Sequence, residues 1–398
     1  MHIVYVTGMF ADKDGDVLTG MPNYIYKIAK YMQDIQNQVS ILTIGKADKE
    51  WTYDRIPVYS RKLSDNGAWG KVFGMYLVYP VIREYLFNKT LQQIHRKCPI
   101  TLVQYAGWYG VGMLYARSFP SVLRISTYTK VQLYAKHTPK ELRYITLTER
   151  MAAKNFDGII APSHALGDRY AKDVRRKVTV LPTPFCYPKP EEEDTSILEE
   201  KLSHKKYFLF FGRISPDKGI DTIARCIREI LAEYPEHCFC FAGEIASVNG
   251  RNMMQHLKKS AGEKRNRVIY LGNITHRQLY PVIRNAECVV LPSLMDNLPN
   301  AGLEAMWLNG IVIGTRGASF DEMYEDKISG LLMDIDDSEE LLEEISYVMH
   351  MTADEKGRMR TEAKKKIEKY ESQAAGKKLE RYYKYILEQR RSNGKRKL

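Results

Sequence analysis

Short runs of β-branched and aromatic residues alternate with amphipathic stretches of helical period along this chain, and the alternation runs through twice. In the first half, His2–Thr7, Val39–Ile44, Thr101–Tyr105, Val122–Ser126 and Gly158–Ala161 predict strands. Met21–Ile35, Lys71–Lys97, Lys140–Asn155 and Ala165–Asp173 predict the helices that follow most of them. The pattern breaks at Leu181–Asp194, where Pro182, Pro184, Pro188 and Pro190 lead into a run of acids, as in a linker. It restarts with Tyr207–Phe211, Cys238–Ala242, Val268–Leu271, Val289–Leu291 and Ile311–Gly314, again with helices between, and a last helical stretch covers Ala363–Gln389. Two doubly wound α/β domains are expected, repeated in architecture and not in sequence.

Length agrees, since 398 residues suit two domains of roughly 200. A composition of 44% hydrophobic and 27% charged residues is that of a soluble globular chain. MHIVYVTGMF has no basic region ahead of its apolar run and resembles a first buried strand more than a signal peptide. The longest apolar stretch, Val72–Phe87, is interrupted by Arg83 and Glu84, which argues against a membrane span. The six cysteines, at 98, 186, 226, 238, 240 and 288, show no CxxC spacing, so a reducing cytoplasm is expected. The sequons at Asn88 and Asn273 are then read as accidental.

The net charge of +12 is uneven: residues 354–398 hold 16 Lys and Arg against seven Asp and Glu, a net of +9. The final RRSNGKRKL is a basic tail of the kind that contacts anionic surfaces, either nucleic acid or lipid, or that is simply solvated. Trp69–Phe87 joins Trp69, Phe73, Met75, Tyr76, Leu77, Tyr79 and Phe87 to Lys71 and Arg83. It reads either as a core helix of the first domain or as a face that rests on a bilayer.

In doubly wound sheets, ligands bind where strands end. Gly212-Arg213-Ile214-Ser215-Pro216-Asp217-Lys218-Gly219 follows the Tyr207–Phe211 run, placing a guanidinium fork and a point charge beside the crevice, as an anion would require. LPSLMDNLPNAGLEAMWLNG sets two carboxylates, Asp296 and Glu304, across a loop that becomes a helix. Pro299 suits the first turn, Gly310 suits the residue past the end, and Asn297 and Asn300 offer capping groups. Free N–H groups at such a helix start can hold a diphosphate, while carboxylates accept hydrogen bonds from ribose and hexose hydroxyls. Solvated turns and a capped core helix are the structural alternatives for both segments. Asp12, Asp14 and Asp16 carry a D-x-D spacing but fall in a polar loop. The nine histidines, His137 and His164 among them, show no paired ligand spacing, so no metal site is expected.

FGRISPDKGID, FAGE, LGNITHRQLYPVIRNAECVVLPS and DNLPNAGLEAM, in this order and spacing, resemble the donor half of family 4 retaining glycosyltransferases. The resemblance is strong from about Tyr207 to Asp334 and weak but compatible before Pro182. It implies the GT-B fold, two doubly wound Rossmann-like domains facing a central cleft: an acceptor-binding domain over residues 1–185, a nucleotide-sugar donor-binding domain over 186–370, and a C-terminal helix over 371–398 that returns to the first domain and carries the basic tail. It also implies that Arg213 and Lys218 bind the diphosphate next to Gly212, that Glu304 holds the ribose, and that Asp296, where the family has its first Glu, contacts the donor sugar. Asn297, Leu298, Pro299, Asn300, Ala301, Gly302 and Leu303 would present backbone to sugar and phosphate. Gly243, Glu244, Asn273 and Ile274 would lie near the nucleotide.

This chain departs from the family in three places. Asp296 is one methylene shorter than Glu; Ser126 lies in a segment, Val122–Tyr128, where many relatives carry a histidine, and cannot carry a proton as imidazole does; and the glycine-rich first loop keeps only Gly20, the candidate for contact with phosphate or acceptor.

The expected activity is retaining transfer of a hexosyl-type sugar from a UDP- or GDP-type donor. The acceptor would be a glycan or lipid-linked molecule in cell-surface polysaccharide or glycolipid synthesis. No cofactor or metal is expected, and nucleic acid is not an expected partner. The place would be cytoplasmic, peripheral on the inner face of the membrane, with an anionic membrane surface as a candidate partner. The alternatives are an epimerase of the same fold, a non-catalytic glycan-binding relative and a nucleic-acid-binding protein.

Overall fold

The computed structural model describes residues 1–10, 20–63, 67–129, 139–185, 193–248 and 250–395, with the backbone alone for 67–78 and 393–395. Asp12, Asp14, Asp16, His137, Cys186, Pro188, Pro190 and the final Arg396 and Lys397 lie outside the described residues, as do the side chains of Trp69, Lys71, Phe73, Met75, Tyr76 and Leu77. The chain divides into two compact units, one of residues 1–184 with 372–398 and one of residues 185–371.

The first unit runs β1 (His2–Thr7), α1 (Gly20–Asp34), β2 (Gln38–Gly45), β3 (Lys49–Tyr53), β4 (Ile56–Lys62), α2 (Gly67–Lys97), β5 (Leu102–Gly107), β6 (Ser121–Ile125), α3 (Pro139–Lys154), β7 (Gly158–Ala161), α4 (His164–Val174) and β8 (Thr179–Val180). The strands form one sheet in the order β3-β4-β2-β1-β5-β6-β7-β8, parallel throughout except for the β3–β4 hairpin at its edge. Side chains alternate across it: Val4 and Val6 enter one core with Phe87 and Leu91, while Ile3 and Tyr5 enter the other with Ile25 and Ile28. Burial on both faces is why these strands read as continuous apolar runs.

The second unit runs α5 (Ser196–Leu202), β9 (Lys206–Phe211), α6 (Ile220–Glu233), β10 (His237–Ala242), a two-stranded flap of β11 (Ser247–Val248) and β12 (Arg251–Asn252), α7 (Met253–Ser260), β13 (Val268–Gly272), α8 (His276–Arg284), β14 (Val289–Leu291), α9 (Asn300–Trp307), β15 (Val312–Thr315), β16 (Leu331–Met333), α10 (Ser338–His350) and α11 (Ala353–Ile367). Its six-stranded sheet is parallel, in the order β13-β10-β9-β14-β15-β16. Strand order therefore reverses direction at β9, which pairs with β10 on one side and β14 on the other. That reversal opens a crevice at the carboxyl ends of β9 and β14.

Three elements differ from the sequence expectation. The β3–β4 hairpin turns at Asp54 and Arg55, both at positive φ (44° and 65°), a two-residue turn made without the Asn-Gly or Asp-Gly pair that usually announces it. The final helical stretch is two helices, because Glu368–Tyr370 tightens into a 3₁₀ turn. There Tyr370 is buried, its hydroxyl donates to Glu322 O at 3.1 Å, and its carbonyl accepts the Phe185 N–H at 2.8 Å. Phe185 is likewise buried, so the expected linker contains a pinned core residue. Beyond the break, α12 (Ser372–Lys395) packs in the first unit, burying Leu379, Tyr383 and Ile386 against the α1 face.

Candidate active site

Three neighbouring strands of the second sheet end in glycine at positive φ: Gly212 after β9, Gly243 after β10 and Gly272 at the end of β13 (123°, 129° and 107°). Hydrogen bonding continues through them, Gly212 N donating to Ala242 O (3.0 Å) and Gly243 N to Gly272 O (2.9 Å). A Cβ on Gly243 would lie 2.0 Å from the Gly212 carbonyl oxygen, so no larger residue fits this edge. In front of Gly212 nothing lies within 4 Å of the Cβ position, leaving its backbone open to a ligand. The Gly243 carbonyl is taken by the Tyr270 hydroxyl at 2.9 Å. Glu244 and Asn273 are exposed beside these turns, and Ile274 packs partly against the core.

The segments after β9 and β14 are sewn together. Leu294 N donates to Asp217 O at 3.0 Å, and Gly219, at φ 75°, lets Pro292 come so close that a Cβ would sit 1.8 Å from the Pro292 carbonyl oxygen. This close approach brings Lys218 to Asp296, and Lys218 Nζ donates to Asp296 Oδ2. Burial lowers the pKa of the Lys218 amine, but the charge and hydrogen bond of Asp296 outweigh it, and the net direction is upward. Arg213 is exposed, makes no ion pair with a described residue, and lies close enough for its charge to oppose that of Lys218. Asp296 is further fixed by its own loop: Oδ1 accepts from Asn297 N (2.9 Å), and its carbonyl accepts from the Ser319 hydroxyl (2.9 Å).

α9 starts differently from the sequence expectation. Pro299 is the N-cap in extended conformation and makes no side-chain cap, so the N-cap position is held by neither Asn297 nor Asn300. At the other end Asn309, not Gly310, takes the left-handed conformation (φ 63°), while Gly310 N closes the turn on Ala305 O at 2.7 Å. Of the seven residues expected to present backbone, Pro299 has no N–H, Asn297 N is engaged by Asp296, and Gly302 and Leu303 donate to Pro299 O (3.0 and 3.4 Å). Leu303 is fully buried, and a Cβ on Gly302 would lie 2.6 Å from the Tyr324 hydroxyl. These two residues seat the helix on the core; Leu298, Asn300 and Ala301 remain as the backbone donors at its start. Glu304 lies just past the first turn, half-buried, with Oε1 3.6 Å from His276 Nε2 at the start of α8.

At the carboxyl edge of the first sheet, Gly20 opens α1 at φ 57°, and Ser126 follows β6. Ser126 Oγ accepts from Arg124 (2.8 Å), a buried guanidinium that also donates to Thr183 Oγ1 (2.7 Å) and lies 3.4 Å from the centroid of the Tyr24 ring. Burial lowers its pKa, partly offset by Tyr24 and Tyr383. Glu149 is buried nearby. Thr129 donates to its Oε1 (2.8 Å), its Oε2 has no partner, and it lines a small pocket with Gly107, Trp108, Gly110 and Thr127.

The structure thus brings Gly212, Arg213, Lys218, Asp296 and the loop after β14 to one crevice in the second unit, and places Gly20 and Ser126 in the first. Sequence reasoning missed His276, Ser319, Arg124 and Glu149. His276 carried a signal, as the first residue after a strand-end turn, whereas the other three act through contacts distant in the chain.

Residues 192–366 match the family model of glycosyl transferases group 1. An uncharacterized glycosyltransferase of Methanocaldococcus jannaschii is 24% identical over 208 residues, 49% of this chain and 50% of the relative. An uncharacterized 41.2 kDa protein in the cps region of Klebsiella pneumoniae is 24% identical over 232 residues, 56% of this chain and 60% of the relative. The chain therefore matches about half the length of these curated relatives. Among solved structures, the sucrose-phosphate synthase of Thermosynechococcus elongatus superposes with a TM-score of 0.74 at 16% identity, covering 97% of this chain and 99% of that one. An E. coli trehalose-6-phosphate structure bound with UDP-2-fluoro glucose gives 0.72 at 13% identity, covering 96% and 99%. At these identities the likeness carries the fold, which is GT-B with two Rossmann-like units.

Proposed function

We propose, on the premise that residues 192–366 belong to the glycosyl transferases group 1, that this chain is a glycosyltransferase moving a hexose with retention from a nucleoside diphosphate sugar to a glycan or lipid-linked acceptor. The observation that carries the reading is the meeting of Lys218 and Asp296 where the strand order reverses, with Arg213 beside them and Glu304 on the helix that follows. Two cations and the amides of Asn300 and Ala301 suit the charge that grows on a departing diphosphate. Glu304 would accept hydrogen bonds from the ribose hydroxyls, and Asp296 from the donor sugar. Gly243, Glu244, Asn273 and Ile274 would border the nucleotide, with Gly212 giving the phosphates close approach to backbone.

In the step itself, an acceptor hydroxyl oxygen attacks the anomeric carbon from the face the leaving group departs. The bond from that carbon to the phosphate oxygen breaks, and the acceptor proton passes to the departing phosphate. The protein's share is positioning and positive charge on the leaving group, which requires no protein nucleophile. Gly20 and Ser126 would serve the acceptor side. Synthesis of cell-surface polysaccharide or glycolipid, in the cytoplasm at the inner face of the membrane, is the setting that fits a basic C-terminal stretch.

Calorimetric titration with UDP, GDP and ADP and their common sugars, with Glu304→Ala as control, tests the reading. The uridine series comes first, because a fold neighbour holds UDP-2-fluoro glucose. Saturable binding of one nucleotide, weakened by about 100-fold in the variant, is expected. No binding by any of the three would remove the donor site and the activity with it.

A further inference from the structure

Among the described residues, eleven large hydrophobic side chains are exposed, and five of them, Val81, Tyr85, Leu114, Leu147 and Met151, belong to one face of the first unit. Val81 and Tyr85 are spaced by one turn on α2, as are Leu147 and Met151 on α3, so each pair forms a stripe. Leu114 lies between the stripes. Asn88, further along the α2 stripe, donates to Leu114 O (2.9 Å), and Asn155, one turn beyond Met151, donates to Met113 O (2.5 Å). The five side chains therefore form a patch and are not scattered singly over the surface.

The charges around the patch are one-sided. After Pro139, the exposed positions of α3 read Lys140, Arg143, Leu147, Met151, Lys154, with the two apolar residues bracketed by bases. On α2 the exposed Lys89 lies 5.9 Å from the centroid of the Tyr85 ring, and Arg96 continues that side; Arg117 is exposed in the loop beyond Leu114. Acids of the same helices point inward, Glu84 and Glu149 being buried, and Glu141 at the start of α3 is half-buried. An apolar centre with a rim of Lys and Arg is complementary to a bilayer whose surface is anionic and whose interior is hydrocarbon. It is a poor match for nucleic acid, which would leave five hydrophobic side chains in water.

We propose that this face, built from the later half of α2, α3 and Leu114, is the surface by which the chain docks on an anionic lipid bilayer. The proposal deepens the membrane-associated reading above and moves its contact. Phe87, expected on such a face, is in the core, and α3 supplies half of the patch. Leu147 and Met151 insert among the headgroups while Lys89, Arg117, Arg143 and Lys154 meet lipid phosphates. The first sheet is thereby held at the level of a lipid-linked substrate.

The test is sedimentation of the full-length chain with vesicles of phosphatidylglycerol and phosphatidylcholine, against pure phosphatidylcholine. It compares the natural protein, Leu147→Ser with Met151→Ser, and Lys89→Gln with Lys154→Gln. The substituted positions are exposed, and circular dichroism verifies that each variant is folded. The natural protein should bind the anionic vesicles, and the serine variant, which keeps every charge and the whole basic tail, should bind at least about tenfold more weakly. The glutamine variant should bind more weakly than the natural protein at about 0.1 M salt and lose proportionally less of its binding as salt rises to about 0.5 M, where the two should approach each other. Equal binding by the serine variant would overturn the proposal and leave the tail as the contact. Absence of vesicle binding by the natural protein would overturn it too, as would a dimer in velocity sedimentation that the serine substitutions dissociate. Nucleotide titration of the same preparations keeps this outcome separate from the donor-site reading.

Discussion

Lys218 donates to Asp296 across the point where the strand order of the second sheet reverses, joining the turn after β9 to the loop after β14. In the proposed reaction these partners face different parts of one donor, phosphate for the lysine and sugar for the carboxylate. The pair therefore competes with the diphosphate for the lysine. Asp296→Asn should bind the bare nucleoside diphosphate equally or a few-fold more tightly, while turnover falls by about 100-fold as the sugar contact is lost. Lys218→Ala should weaken diphosphate binding by about 10–100-fold. Calorimetry of diphosphate and sugar nucleotide measures both, and weaker diphosphate binding by Asp296→Asn would instead make the carboxylate the lysine's support.

Glu304 is held half-buried on α9, with His276 the basic group 3.6 Å away. A carboxylate there can accept from two adjacent hydroxyls, whereas an amide offers one acceptor oxygen. Glu304→Gln should weaken binding of the nucleotide by about tenfold and Glu304→Ala by about 100-fold. A 2′-deoxynucleotide should show little further loss in Glu304→Ala, where no acceptor remains. A full additional loss on removing the 2′-hydroxyl in Glu304→Ala would mean that the carboxylate touches some other part of the ligand.

The glycine row gives a stability prediction. Gly243→Ala introduces a methyl group at φ 129° and 2.0 Å from the Gly212 carbonyl oxygen, where only backbone can yield. A loss of about 2–4 kcal/mol is expected, with distortion of the Gly212 turn. Gly212→Ala meets no neighbour within 4 Å and carries only the backbone strain of a side chain at φ 123°, about 1–3 kcal/mol, so its larger effect should be on ligand binding. Urea unfolding and nucleotide titration of the two variants separate these effects.

What was legible in the sequence follows a physical line. Strands buried on both faces, such as Ile3–Val6 and Tyr207–Phe211, announce themselves as apolar runs, and the residues just after them name the crevice because doubly wound sheets bind there. The β3–β4 hairpin was hidden, since its turn uses Asp54 and Arg55 in conformations that glycine and asparagine usually advertise. The start of α9 was misread for a related reason: Pro299 suits N1 and N-cap alike, and only the backbone decides. Arg124 was invisible as a site residue because, apart from Ser126 two residues on, its partners Tyr24 and Thr183 are brought to it by segments distant in the chain. Glu149 looked like an ordinary helix acid, and its burial depends on how α3 meets the loops after β5 and β6.

Glu149 supplies the last prediction. Burial raises its carboxyl from the ordinary 4.5 to about 7, against the hydrogen bonds from Thr129, and Asp173 adds to the rise. A raised acid favours the protonated form in the folded chain, so its stabilising share is fully present below about pH 4.5 and is lost as pH rises toward 7. Over that window the loss amounts to roughly 1–3 kcal/mol. Glu149→Gln keeps the shape and the acceptor for Thr129 but cannot ionise. Its first-unit melting temperature should change less between pH 5 and pH 7 than that of the natural chain, and the two should converge at low pH. Glu84, also raised by burial, titrates in both proteins, so the difference between the two curves isolates Glu149. Parallel curves across the window would show that Glu149 ionises normally, its Oε2 reaching solvent through the pocket it lines.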